Sequence, residues 1–216
     1  MQRPAWIAFD LNGTLLDPSA LLGSGREQTG RAALDDAVMQ AMADTITGVH
    51  RPFPDYLKAA LERRLKLESI DRGLLTAAME RAAALPAFPD AAPALETLAG
   101  ADYRIAVVTN SAAEAAGKAL RAAALDTHIE LVVGADEVGA YKPDPRVYRH
   151  AASRLDAPPE AICLVAAHAW DVLGAMRAGW AAAWVGHREH HLLSTVPEPL
   201  VKAASLAEAA RQLAAL

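Results

Sequence analysis

Cysteine is nearly absent from these 216 residues, since Cys163 is the only one. A single thiol cannot close an intramolecular disulfide, which is typical of proteins from a reducing compartment. Cys163 lies within an apolar run, and this indicates a buried structural thiol rather than a nucleophile.

A surplus of positive charge and a long apolar run are missing as well. The formal net charge is −5 and no basic stripe is visible, which argues against nucleic acid as a partner and leaves small anionic substrates open. No apolar run reaches the length of a membrane span, so we expect no membrane partner. Asp10 and Asn12 interrupt the region where a signal peptide is apolar, and the sequence therefore predicts a cytoplasmic protein.

The most informative stretch is Ala5–Asp17. Its apolar run Trp6–Phe9 is short enough for a strand, stops at Asp10 and is followed by a turn at Gly13. A buried parallel strand that ends in this way places the carboxylate in the crevice at the carboxyl end of a sheet, where α/β proteins bind ligands. The alternative is that Asp10 only caps a turn.

Helical periodicity dominates residues 18–86, where strand signals are almost absent. The first predicted helix carries apolar residues at four-residue spacing, Leu34, Val38, Met42 and Ile46. The second carries a similar face, Tyr56, Leu57, Ala60, Leu61 and Leu65. The third covers residues 72–85 and ends before Pro86. Three helices inserted after a first strand predict a helical cap over residues 18–86.

Strands and helices alternate in the remainder of the chain. Strands are predicted over residues 103–109, 130–133, 162–166 and 182–185, each followed by a helix. Ser111 and Glu114 have the spacing of a capping box for a helix over 112–125, and Asp144 precedes Pro145 at the start of another helix. This alternation predicts an α/β fold, a Rossmann-like parallel sheet with helices on both faces, built from residues 1–17 and 87–216.

Polar side chains follow four of the predicted strands. These residues are Asp10 and Asn12, then Thr109 and Asn110, then Lys142, and finally His168 and Asp171. Because the carboxyl ends of parallel strands lie along one edge of a sheet, we expect these side chains to share one crevice. Turns favour Asp, Asn and Thr on their own account, but four such coincidences at one edge indicate a site.

Four segments resemble the motifs of the haloacid dehalogenase superfamily, in that family's order. They are Phe-Asp-Leu-Asn-Gly-Thr-Leu-Leu-Asp, Val-Thr-Asn-Ser, Tyr-Lys-Pro-Asp-Pro-Arg-Val-Tyr and His-Ala-Trp-Asp-Val-Leu-Gly-Ala. The resemblance covers essentially the whole chain, with the helical cap between the first and second motifs. The third and fourth motifs are most similar to the L-2-haloacid dehalogenase branch.

The resemblance implies a role for each matching residue of the reaction centre. Asp10 is then the nucleophile that forms an aspartyl ester, Thr14 orients it, and Lys142 keeps it ionised. Asp171 matches the carboxylate that positions water for hydrolysis of the ester.

The resemblance also implies contacts with the substrate. Thr109 matches a residue that contacts the substrate carboxylate, Asn110 one near the departing halide, and Tyr148 a tyrosine near the site. Asn12 stands where the family has a tyrosine, and Phe53 is a candidate wall of the site. The family's halide-binding cap arginine has no clear match; Arg51 and Arg63 are the nearby candidates.

Two residues distinguish a dehalogenase from the Mg²⁺-dependent phosphatases that share these motifs. The phosphatases have a second aspartate as general acid where this chain has Asn12, and loss of proton transfer to an alkoxide costs about 10²–10⁴-fold in rate. They hold Mg²⁺ partly through an aspartate where this chain has Ala167, which leaves Asp10 and Asp171 as a sparse ligand set. A halide needs no proton to leave. The expected cofactor is therefore none, with Mg²⁺ as the alternative.

His168 is a candidate general base for hydrolysis of the ester. The family's serine and asparagine that hold the hydrolytic water are Ala166 and His168 here, and an imidazole three residues before Asp171 could replace them. The alternative is a solvated turn histidine.

The remaining candidates are expected to be structural. His187, His190 and His191 suggest a mobile polar loop rather than a metal site, and Trp170 and Trp184 are expected to pack in the core. Apolar alanine-rich helix faces leave a homodimer open. We expect a hydrolase that dehalogenates 2-haloalkanoic acids, with a slow phosphomonoesterase or a catalytically weak binding protein as alternatives.

Overall fold

Short, apolar, β-branched segments form the centre of the fold. A computed structural model describes residues 3–216. Its parallel strands are β1 (Trp6–Phe9), β2 (Arg104–Thr109), β3 (Leu131–Gly134), β4 (Ile162–Ala166), β5 (Ala181–Val185) and β6 (Val201–Ala203). Their order in the sheet is β3-β2-β1-β4-β5-β6. The parallel sheet confirms the predicted fold class, although β6 was not predicted.

Helices cover both faces of this sheet. The α-helices of residues 3–216 are α1 (Glu27–Ile46), α2 (Phe53–Leu67), α3 (Leu74–Ala82), α4 (Ala91–Gly100), α5 (Ala113–Ala122), α6 (Pro145–Arg154), α7 (Ala169–Arg177) and α8 (Leu206–Ala214). Within β1, Ile7 and Phe9 join the core on one face, whereas Trp6 and Ala8 join the core on the other. A strand buried on both faces reads as a continuous apolar run, which is why β1 could be predicted from the sequence.

The helices α1–α3 are inserted between β1 and the rest of the sheet, and we call them the inserted helices. Tyr56, Leu57, Ala60, Leu61 and Leu65 of α2 are all buried as predicted. Leu34 and Val38 of α1 are buried too, but Ile46 is 85% exposed because it is the last residue of the helix.

The N-terminus of α5 differs from the sequence prediction. Ser111 does not cap this helix: Ala112 occupies the cap position, and Asp136 Oδ1 accepts a hydrogen bond from Ala113 N at 3.1 Å. Glu114 pairs instead with Lys118 along the helix surface. A residue 23 positions away thus replaces the local capping box, which sequence spacing could not reveal.

The order of the strands positions the site. The chain leaves β1 and returns on both sides of it, at β2 and at β4, so the crevice between the carboxyl ends of β1 and β4 is the topological switch point of the sheet. No helix in the part of the chain that the structure describes is long and apolar enough to cross a membrane.

Candidate active site

Asp10 lies directly after β1, at this switch point. Its backbone N–H donates to the carbonyl of Val165 in β4 at 3.0 Å, and the side chain is almost entirely buried. The loop from Leu11 onward then turns sharply at Gly13, whose φ of 90° lies in the region that favours glycine. Asp10 is therefore held by the sheet and not merely by a turn.

Lys142 is fully buried and connects the ends of three strands. Its Nζ donates to Asp10 Oδ1 at 2.9 Å, to Asp171 Oδ2 at 2.5 Å and to the carbonyl of Val108 at 2.8 Å. All three ammonium hydrogens are satisfied in this way. Burial would lower the pKa of Lys142, but the charges of Asp10 and Asp171 outweigh it and raise that pKa, so the lysine stays charged.

The second oxygen of Asp10 also accepts hydrogen bonds. Thr14 Oγ1 donates to Asp10 Oδ2 at 2.8 Å and itself accepts from the backbone N–H of Ala167 at 3.0 Å. His168 Nδ1 lies 3.2 Å from the same oxygen. Burial alone would raise the pKa of Asp10, but the Lys142 charge and the contact with His168 lower it well below its usual range. Asp10 is consequently ionised at neutral pH.

Asp171 and Tyr148 lie behind Lys142. The Tyr148 hydroxyl donates to Asp171 Oδ1 at 2.6 Å, and both side chains are completely buried. Gly174 makes room for this tyrosine, because a Cβ at that position would overlap the hydroxyl. Burial first, and then repulsion by Asp10, raises the pKa of Asp171.

Asp171 and Tyr148 lie near Asp10 but do not line the space in front of it. Both oxygens of Asp171 accept hydrogen bonds, one from Lys142 and one from Tyr148. The roles that the resemblance implies for these two residues stay predictions.

A small cavity lies in front of Asp10. Its volume, measured as the space that the centre of a water molecule can occupy, is about 20 Å³, which is enough for about one water. The residues around it are Asp10, Asn12, Leu34, Val38, Phe53, Thr109, Asn110, His168 and Trp170. The structure thus brings Asn12, Phe53, Thr109 and Asn110 to the site, where the sequence placed them. Trp170 packs against the core as expected, but it is only half-buried, lies beside the His168 ring with centroids 5.1 Å apart, and also forms a wall of the cavity.

Asn110 carries an unused hydrogen-bond donor into this cavity. Its Oδ1 accepts from the backbone N–H of Lys142 at 2.8 Å, which fixes the orientation of the amide. Its Nδ2 is buried and has no hydrogen-bond partner among residues 3–216. An unpaired buried N–H costs free energy, so this donor is available to a bound acceptor.

The residues do not fit a Mg²⁺ ion. A cation bridging Asp10 and Asp171 would need the space that the Lys142 ammonium takes, and Ala167 offers no side-chain oxygen. Mg²⁺ also requires several hard oxygen ligands. Within the described ranges, no cluster of three His, Cys, Asp or Glu side chains has a geometry that could hold a metal.

Comparison with known proteins agrees with this geometry. Residues 5–179 match the family of haloacid dehalogenase-like hydrolases. The chain belongs to this family. It is 32% identical to (S)-2-haloacid dehalogenase 4A of Burkholderia cepacia, over 80% of this chain and 78% of that protein. It is 33% identical to (S)-2-haloacid dehalogenase 1 of Pseudomonas sp. strain CBS-3, over 77% and 78%.

Solved structures show the same similarity. A dehalogenase crystallised as an intermediate complex superposes with a TM-score of 0.91 at 27% identity and covers 99% of both chains. Phosphatases of this hydrolase family match as well, such as the probable phosphatase IndB of Dickeya dadantii, which is 29% identical over 90% of this chain and 88% of that protein.

Neither candidate for the family's cap arginine reaches the cavity. Arg51 is exposed and pairs with Asp44, and Arg63 is exposed and pairs with Asp36. Neither arginine is among the residues that line the cavity in front of Asp10.

The loop after β5 is a part of the site that sequence reasoning missed. His187 Nε2 donates to the carbonyl of Gly13 at 3.0 Å, Arg188 pairs with Asp35 of α1, and Glu189 accepts from Ala169 N at 3.1 Å. Three consecutive residues thus hold three different parts of the site. The expected mobile polar loop is instead anchored, and only its closeness to Gly13 in space, not a sequence pattern, reveals this.

Proposed function

We propose that this hydrolase removes halide from 2-haloalkanoic acids through an ester formed on Asp10. The observation that carries the proposal is an ionised, buried carboxylate held by Lys142, next to a cavity to which Asn12 contributes an amide and not a carboxylic acid. The similarity to two (S)-2-haloacid dehalogenases supports the same substrate class.

In the first step, one carboxylate oxygen of Asp10 attacks C2 of the haloacid. The new C–O bond forms while the carbon–halogen bond breaks, and the halide leaves with the bonding electrons. Because the attack is in line, the halide moves away from Asp10 towards the wall formed by Leu34, Val38 and Phe53. A large polarisable anion suits such a wall, and Asn110 Nδ2 offers it a hydrogen bond.

In the second step, water attacks the ester carbonyl of Asp10. Negative charge grows on the carbonyl oxygen. Lys142 donates to one oxygen of Asp10 and Thr14 to the other, so whichever oxygen remains the carbonyl already accepts a hydrogen bond. Release of the 2-hydroxy acid restores the Asp10 carboxylate.

His168 is the general base of this second step. While Asp10 is ionised its oxygen can only accept, so His168 Nδ1 carries the proton and donates it. Alkylation removes the negative charge that stabilises this tautomer. The proton can then reside on Nε2, which leaves Nδ1 as a base beside the ester. Formation of the ester thereby prepares the base that hydrolyses it.

The inserted helices are proposed to act as a cap. We assign residues 18–86 to a cap and residues 1–17 and 87–216 to the core, because α1 and α2 contribute Leu34, Val38 and Phe53 to the cavity while the core contributes the charged groups. Closure of such a cap excludes water during the first step.

Halide release from 2-chloropropionate, without added metal, tests the proposal. We expect turnover by the wild type and none by Asp10→Asn. During turnover by the wild type, the peptide that contains Asp10 should gain the mass of the esterified group, –CH(CH₃)–COO⁻. Mg²⁺-stimulated cleavage of p-nitrophenyl phosphate would favour the phosphomonoesterase alternative. If the folded protein shows no activity in either assay, the result would favour a catalytically weak member of the family that only binds its ligand.

We further propose a cytoplasmic location, which the single cysteine supports because one thiol forms no intramolecular disulfide. The homodimer stays a prediction, and analytical ultracentrifugation tests it.

A further inference from the structure

Arg188 is a buried cation with an unused donor. Only 9% of its side chain is exposed, and its Nη2 pairs with Asp35. Its Nη1 is buried and has no hydrogen-bond partner in the described part of the chain. A guanidinium removed from water needs acceptors for its N–H groups, and one exposed aspartate satisfies only part of this demand.

The unused nitrogen lies beside the reaction centre. A Cβ built on Gly13 would lie 3.4 Å from Arg188 Nη1 and 2.9 Å from His168 Nε2. Arg188, His168 and Trp170 also line a larger cleft of about 550 Å³, which adjoins the small cavity through His168, Trp170 and Val38. Arg188 therefore borders the cleft that adjoins the small cavity in front of Asp10.

The side chains of the two neighbouring residues anchor the loop around Arg188 independently of its ion pair with Asp35. His187 on one side is bound to the Gly13 carbonyl, and Glu189 on the other is bound to the N-terminus of α7. The guanidinium is thus preorganised, and an anion that it binds loses little to ordering of the loop.

We propose that Arg188 binds the carboxylate of the substrate, so that the cation for the substrate anion comes from the loop after β5 and not from the inserted helices. The identity of this anion rests on the proposed function. The departing halide does not fit, because in-line displacement sends it away from Asp10, whereas Arg188 Nη1 lies on the side of the Asp10–Gly13 loop. Asp35 then competes with the substrate for the same guanidinium.

Binding of propionate to the wild type, measured by isothermal titration calorimetry, tests this inference. Propionate has the carboxylate but no halogen, so it binds without reacting. We expect Arg188→Gln to weaken propionate about 10- to 100-fold, as for loss of a charged hydrogen bond. Bromide binding should stay within about 3-fold, and so should turnover of the uncharged 2-chloropropionamide. Loss of bromide binding with retained propionate binding would overturn the assignment.

Two further variants keep the test decisive. Arg31→Gln removes another arginine of the same cleft, one that is 40% exposed, and should change propionate affinity less than about 3-fold. A loss of propionate affinity equal to that of Arg188→Gln would mean unspecific attraction and would contradict the proposal.

Asp35→Asn should instead increase the affinity for propionate, a gain that misfolding cannot produce. An unchanged or weaker affinity would count against Arg188.

The outcome also separates this inference from the proposed function. Propionate binding that depends on Arg188 in a wild type that releases no halide would preserve the anion site and refute the dehalogenase. Halide release with propionate affinity indifferent to Arg188 would refute the anion site alone.

Discussion

His168 Nδ1 lies 3.2 Å from Asp10 Oδ2, and in the proposed mechanism this contact couples the nucleophile to the general base of ester hydrolysis. Because Nδ1 donates to the ionised carboxylate, this nitrogen can accept a proton only after the carboxylate has been alkylated. A base controlled in this way does not compete with Asp10 before the first step. The consequences can be measured with substitutions at the site.

His168→Ala should form the ester and hydrolyse it slowly. We expect a stoichiometric burst of halide from 2-chloropropionate, followed by turnover reduced about 10²- to 10⁴-fold for loss of a general base. Mass spectrometry should find the alkylated Asp10 peptide at steady state. His150→Ala, which removes an imidazole paired with Glu137 away from the site, serves as the control. Unchanged turnover in His168→Ala would end the proposed role.

Lys142→Met should destabilise the protein and abolish alkylation. Removing the ammonium leaves Asp10 and Asp171 as unpaired buried carboxylates, which costs about 3–5 kcal/mol in the free energy of unfolding. Urea titration measures this loss. Lys202→Met removes a lysine from a partly exposed pair with Glu198 and should change stability by less than about 1 kcal/mol. Equal effects of both substitutions would contradict the central position of Lys142.

Tyr148→Phe should lower both stability and activity. It leaves Asp171 Oδ1 without its donor, at a cost of about 1–3 kcal/mol, and loosens the carboxylate that orients Lys142. Tyr103→Phe is a matched control, because the Tyr103 hydroxyl is likewise buried and donates to the carbonyl of Leu213, far from Asp10. We expect a comparable loss of stability in the control with normal halide release. Full activity in Tyr148→Phe would show that Lys142 needs no such support.

The rate of alkylation should be independent of pH over a wide range. The pKa of Asp10 is lowered from its ordinary value of 3.8, so the stability it contributes is present above that value and is lost as pH falls through the lower folded value. The pKa of Lys142 is raised from 10.5, so its contribution is complete below 10.5 and is lost as pH rises through the higher folded value. Halide bursts in single-turnover experiments should therefore be constant around neutral pH, where Asp10 is ionised and Lys142 is charged.

Any acid limb of this profile should belong to Asp171. Its pKa is raised, so it takes up a proton before Asp10 does as the pH falls and then weakens its pair with Lys142. Asp171→Asn should remove the limb in a variant that still folds. A limb that persists in Asp171→Asn would assign it to another group.

Much of the fold and the centre of the site could be predicted from local patterns. The strands β1 and β4 have the bounds that their apolar runs indicate, and residues that follow parallel strands must meet at one edge of the sheet. For this reason Asp10, Lys142 and Asp171 could be placed together although they are far apart in the sequence.

The sequence by itself determined the α/β fold and the three charged groups of the reaction centre, because hydrophobic periodicity and the residues that follow a strand are properties of short segments. Only the tertiary structure decided that Arg188 and His168 both lie beside Gly13, that Trp170 lines the cavity and that Asp136 caps α5. Each of these depends on the approach of segments without a shared pattern. Their contacts arise from packing in three dimensions and cannot be predicted from the spacing of residues along the chain.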